Sequence, residues 1–97
     1  MTTAQSSLVS AVARGSSPAI AERIGHELRR LRVGRELSQS ELTRRAGMLT
    51  QASLSNYENG KRLVPLDTLI RLAEALQVDL DVLIDAGVRA HDQGGAR

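Results

Sequence analysis

The sequence predicts an all-α fold of five helices, and three observations carry that expectation. The apolar residues are nearly all Leu, Ile, Val and Ala, with one Tyr and neither Phe nor Trp. Interlocking helices can be built from such residues, whereas a β-sandwich draws on aromatic and β-branched strands. Apolar residues recur at intervals of three and four along several stretches, which is the period of a helix face. Helix-start punctuation is written out twice, at Ser38 and at Thr50. Ninety-seven residues, 41% of them hydrophobic, suffice for one domain with one modest core.

Residues 1–17 are rich in Ser, Thr, Ala and Gly without sustained periodicity, and residues 87–97 resemble them. Both are expected to be flexible tails flanking a domain at 18–86. The first helix opens at Ser17 as N-cap with Pro18 in the first helical position, where its missing N–H costs nothing. Ile20, Ile24, Leu28 and Leu31 form its apolar stripe.

Ser38 and Glu41 make a capping box, with Leu37 and Leu42 placed as a hydrophobic staple, so the second helix runs from about Gln39 to Ala46. Gly47 follows as a left-handed C-cap. The third helix repeats the pattern, with Thr50 as N-cap, Leu49 and Leu54 as staple and Asn59-Gly60 as its stop. A fourth helix carries Leu66, Leu69, Ile70, Ala73 and Leu76 on one face. The fifth opens at Asp79, with Leu80, Leu83 and Ile84 toward the core, and stops before Gly87.

Charge is unevenly distributed. Residues 20–62 hold nine Lys or Arg against five acids, and residues 63–97 hold three Arg against six acids. One half of the domain is therefore suited to face a polyanion. Cysteine is absent, which rules out disulfides and thiolate metal sites and is compatible with a reducing cytoplasm. No stretch is long and apolar enough for a membrane span, and the run Leu8 to Ala13 makes a poor signal peptide because no basic stretch precedes it.

Two short capped helices joined by a tight turn containing Gly47 form a helix-turn-helix pattern at about 39–58, a unit that lays its second helix in the DNA major groove. On the wheel of the third helix, Leu54 and Tyr57 point one way, while Gln51, Ala52, Ser55, Asn56 and Asn59 gather on the other. A merely solvated helix more often carries Glu and Lys there. Short uncharged amides and hydroxyls suit base edges, since Gln and Asn pair with adenine and an Ala methyl meets the thymine methyl. Eight residues span about 12 Å, comparable to the groove width.

From residue 28 to residue 84 the chain resembles the Cro/C1-type, or XRE-type, helix-turn-helix family of bacterial and phage regulators. The resemblance rests on Leu28-Arg29-Arg30-Leu31-Arg32, Leu37-Ser38-Gln39-Ser40-Glu41-Leu42, the run from Thr50 to Arg62, and Leu69-Ile70-Arg71-Leu72-Ala73-Glu74-Ala75-Leu76. It implies a lambda-repressor-like domain and a regulator, expected to be a repressor, that binds double-stranded operator DNA. It further implies that Gln39 anchors a phosphate and that Gln51, Ala52, Ser55 and Asn56 read bases. The family's pairing of a helix-1 Arg with a Glu ending helix 3 falls on Arg32 and Glu58.

Thr50, Asn59, Lys61 and Arg62 complete the expected phosphate contacts. Arg44 and Arg45 suit either a phosphate or the dipole at a helix end. Two features depart from the family pattern. The turn Gly47-Met48-Leu49 is one residue longer than the commonest form, and Thr43 stands where a small residue is usual. Both bear on the pitch of the third helix, leaving Ser55 and Asn59 as alternatives to Asn56.

A domain reading few base pairs gains specificity by pairing two half-sites, so a homodimer is expected, built on Val78, Val82 and Val88 around the fifth helix. An antitoxin that folds on a toxin partner, or an adaptor bridging other proteins, are the alternative functions. Tyr57 reads as a core filler with its hydroxyl toward the surface. His26 and His91 lack companion ligands, and Asp79, Asp81 and Asp85 lack the Gly and Glu of a calcium loop. No metal or cofactor is expected. With no phosphate loop, nucleophile elbow or carboxylate pair in the sequence, neither is enzymatic activity.

Overall fold

The computed structural model describes the backbone of residues 18–96 and the side chains of residues 19–88. The proposed N-cap Ser17 and the N-terminal tail lie outside the described residues. The described chain is five helices: α1 (Pro18–Gly34), α2 (Gln39–Ala46), α3 (Gln51–Glu58), α4 (Leu66–Leu76) and α5 (Leu80–Ala96). α1 packs along α5 and crosses α3, while α2 lies against α3 and α4, and α4 meets α5.

The core is a cluster of leucines to which every helix contributes: Leu28, Leu42, Leu54, Leu72, Leu76 and Leu83 are fully buried. The α1 stripe delivers Ile24, Leu28 and Leu31 to this cluster, with Ile20 packed at its edge. Such side chains each contribute roughly 1.5–3 kcal/mol on burial, which is why the short α2 and α3 stay helical despite being too short to be stable alone.

Two of the expected apolar faces are rotated. Leu66 and Ile70 are 61% and 39% exposed, whereas Leu69, Ala73 and Leu76 are buried as expected and Leu72 joins them. On α5, Leu83 is buried and Leu80 packs at the edge, but Ile84 is 40% exposed. Neighbouring positions on a helix wheel differ by about 100°, and which of two adjacent apolar residues turns inward depends on the helices it meets.

The expected stop at Gly87 is not made, because α5 continues to Ala96. Gly87 is buried, and a Cβ there would lie 3.1 Å from Ile20 and 3.2 Å from Ile24. Its missing side chain serves close packing of α5 on α1 rather than helix termination.

Three helices end in the same hydrogen-bonded motif. Leu37 N–H donates to Arg32 O, Lys61 N–H to Asn56 O and Val78 N–H to Ala73 O, at 2.9–3.1 Å. These six-to-one bonds require a left-handed residue just before the donor. Gly60 fills that place after α3, with φ of 73°, but Glu36 (58°) and Gln77 (61°) fill it after α1 and α4.

Candidate nucleic-acid interface

The capping box begins α2 as its residues dictate. Glu41 N–H donates to Ser38 Oγ at 3.0 Å, and Ser38 N–H donates to Glu41 Oε1 at 2.7 Å. Hydrogen bonding from the Ser38 backbone, then from its side chain, holds the Glu41 carboxyl below its ordinary pKa of 4.5. Thr50 caps α3 by accepting from Ser53 N–H at 3.1 Å.

Between the two helices, Gly47 has φ 74° and ψ 156°, and Met48, 89% exposed, has φ 52°. Gly47 therefore has the expected positive φ but not the left-handed ψ, and occupies a region that is essentially glycine's alone. Two successive positive-φ residues absorb the extra turn residue. Thr43 is accommodated without losing a partner, since its buried side chain donates to Ser40 O at 2.8 Å.

On α3, Leu54, Tyr57 and Glu58 are buried and Gln51 and Ala52 exposed, while Ser55 and Asn56 are half-buried. Asn59, Lys61 and Arg62 follow as exposed residues beyond its C-terminus. The outward row is uncharged over the helix and becomes cationic only past Gly60.

A hydrogen-bond chain ties this row to the interior. Arg32 Nε donates to Glu58 Oε2 at 2.7 Å and Arg32 Nη2 to Glu58 Oε1 at 3.1 Å, while Arg32 Nη1 caps Leu37 O at 2.7 Å. The pair is buried, with side chains 10% and 1% exposed. Gln39 Nε2 donates to Glu58 Oε1 at 3.1 Å, and Gln51 Nε2 reaches Gln39 Oε1 at 3.5 Å, the outer limit of a hydrogen bond. The first residues of α2 and α3 are thus in register despite the longer turn. Each amide keeps a second N–H for an external acceptor.

A helix-turn-helix family model matches residues 28–83, a span that contains both capped helices and the buried pair. The chain belongs to the Cro/C1-type helix-turn-helix family. The matched span is a DNA-binding helix-turn-helix domain of the transcription-regulator class. It is similar to the HTH-type transcriptional repressor RghR of Bacillus subtilis (strain 168), with 41% identity over 65% of this chain and 47% of that protein. It is also similar to the ImmF control region 10 kDa protein of Bacillus phage phi105, with 31% identity over 76% of this chain and 81% of that one. The chain thus spans about half the length of the first relative and about four fifths of the second. No solved structure matches it.

The bonds from Gln39 to Glu58 and Gln51 carried no sequence signal, because the residues lie 19 and 12 positions apart in the chain and share no periodic face. Gly25 was also missed. A Cβ on it would overlap the carbonyl oxygen of Tyr57, so α1 and α3 meet there backbone to backbone.

Proposed function

We propose that this chain is a transcriptional regulator that binds double-stranded DNA, a repressor that holds its operator as a homodimer, with α3 in the major groove of each half-site. The observation that carries the reading is the uncharged amide and hydroxyl row on α3, anchored at Gln51 by Gln39. Gln51 and Asn56 are the specifying residues, each able to pair an amide with adenine N6 and N7, and Ala52 offers a methyl to thymine. Ser55 supports them from the same face. Gln39, Thr50, Asn59, Lys61 and Arg62 contact phosphates, which fix position and supply affinity without naming a sequence. Arg32 and Glu58 are structural, because burial keeps both from the groove. The function is binding, with no cofactor invoked. Among the described residues no helix is long and apolar enough to cross a membrane, and a cytoplasmic location suits a regulator of this kind. The names of the relatives, a repressor and a phage control protein, support the sign of regulation.

The dimer forms on α5. Val82 and Val88 are 37% and 51% exposed, and Ile84 joins them, whereas Val78 packs on the core and leaves the expected patch. These residues border a groove of about 860 Å³ between α1 and α5, with Arg23 and the ion pair of Arg30 and Glu27 on the α1 wall and Asp81 and Asp85 on the α5 wall. An apolar strip with a mixed-charge rim suits a two-fold contact, in which each copy offers the same surface. The apolar patch is small against the roughly 1,200–2,000 Å² buried in stable complexes, so the free dimer is weak and DNA completes it. Selection of bound duplexes from a random pool, followed by sedimentation with and without the selected duplex, tests both parts. An inverted repeat bound by two copies is expected. Recovery of no preferred sequence, or one copy per duplex, would overturn the reading.

A further inference from the structure

The recognition helix is held very differently at its two ends. At its N-terminus the turn has room: a Cβ built on Gly47 meets nothing within 4 Å, and Met48 is 89% exposed. At its C-terminus there is none. A Cβ on the buried Gly25 would overlap Tyr57 O and lie 3.0 Å from Glu58 O, and backbone atoms cannot rotate out of the way. From the other side, a Cβ on Gly60 would lie 2.9 Å from Glu22 Cα. Glu22 and Gly25 are three residues apart and so share one face of α1. Two glycines on facing elements thus let α1 lie directly on the last turn of α3.

We propose that Gly25, backed by Gly60, is a positioning residue that sets the depth and tilt of α3 in the major groove, and that the longer turn does not. Gly25 is buried and touches no DNA itself. It acts through Tyr57 and Glu58, whose backbone continues into Asn56 on one side and, by the bond from Lys61 N–H to Asn56 O at 2.9 Å, into the cationic segment on the other. Restoring ordinary contact around an alanine at this position moves the end of α3 by about 1 Å. A bidentate amide-to-base pair fails over such a distance. Lys61 and Arg62, on long side chains, follow the shift and keep their phosphates. Loss of discrimination with retained non-specific affinity is the signature, and a merely structural role for Gly25 would not produce it.

This inference rests on the groove-reading function proposed above, and the test separates the two. Gly25→Ala, Gly60→Ala, Met48→Gly and a variant with one glycine inserted after Met48 are compared with the parent. Each is titrated with the selected operator and with a scrambled duplex, at one salt concentration and below its thermal transition. For Gly25→Ala the ratio of operator to scrambled affinity is expected to fall by about tenfold or more, the size of one lost bidentate pair. Its scrambled-duplex affinity is expected to stay within about threefold. Gly60→Ala presses on the same joint from the other side but at a φ of 73° that strains most side chains, so Gly60→Asn, which tolerates that φ, accompanies it and carries the same expectation should Gly25→Ala not fold. The two turn variants are expected to keep the ratio within about threefold. Amide chemical shifts should move at residues 55–61 of Gly25→Ala, and at Gln39 through its bond to Glu58, and stay put at residues 43–46. A folded glycine variant that keeps the ratio, or a turn variant that loses it, overturns the proposal. A parent protein with no preferred duplex overturns instead the reading on which it rests.

Discussion

Replacing Arg32 by Met removes every donor that the guanidinium supplies to Glu58 and Leu37 while keeping an unbranched apolar stem. The Glu58 carboxylate, with its side chain 1% exposed, then retains only the Gln39 N–H at 3.1 Å. Breaking one side of a buried pair costs about 3–5 kcal/mol, because the remaining charge is left in a medium that cannot solvate it. A domain of this size has a total stability of about 5–15 kcal/mol, so Arg32→Met should remove a large share of it. The midpoint should fall by more than about 12 °C, at roughly 4–8 °C per kcal/mol. Glu58→Leu in the same background removes the stranded charge, and the double variant is expected to recover at least about half of the loss. Urea unfolding followed by far-ultraviolet circular dichroism, run as a double-mutant cycle, measures the free energies, and a thermal scan of the same signal measures the midpoint. A loss below about 1 kcal/mol for Arg32→Met, or a double variant as unstable as the sum of the singles, would refute the reasoning.

Glu36→Gly and Gln77→Gly should each stabilise the domain by about 0.5–1 kcal/mol, since a left-handed non-glycine residue costs about 1–2 kcal/mol and the glycine returns part of that as unfolded-state entropy; an unchanged or lower urea midpoint would contradict this. The depressed pKa of Glu41 makes its contribution complete above pH 4.5 and lost as pH falls through the lower folded value. Stability of Glu41→Gln should therefore depend less on pH across that acid range than the parent's, and an identical acid limb would count against the capping box as its source. The logarithm of DNA affinity should fall steeply with the logarithm of salt, by about 0.9 for each cationic phosphate contact, and removing Arg62 should lower the slope by about one per bound copy. A slope unchanged in Arg62→Ala would remove that residue from the phosphate contacts.

The helix boundaries of α2 and α3 were legible because their starts depend on bonds among residues three apart, so Ser38 with Glu41 and Thr50 with Ser53 declare themselves locally. The pairing of Arg32 with Glu58 was legible only through family resemblance, since the two are 26 positions apart. Other features depend on what a residue meets after folding. Ile84 and Ile70 fit an apolar stripe as well as their neighbours do, and only the packing of α4 and α5 turns them outward. Gly87 reads as a terminator, yet it lies within α5 because Ile20 and Ile24 press on it. Glu36 and Gln77 adopt the conformation that glycine usually supplies, so the helix ends they make carry no residue signal. On α3, the outward row followed from the helix period alone, whereas the bonds that orient Gln39 and Gln51 came from three elements meeting.

The division of labour on α3 and its flank is tested most directly by competition binding of Gln51→Ala and Arg62→Ala against operators substituted one base pair at a time. Gln51→Ala should flatten the preference at one position in each half-site, a loss of about 1–3 kcal/mol of discrimination, and leave the other positions as in the parent. Arg62→Ala should weaken binding to all the duplexes alike. If Gln51→Ala lowers every affinity equally while Arg62→Ala changes the preferred base, the groove is read by the segment after Gly60 and not by α3.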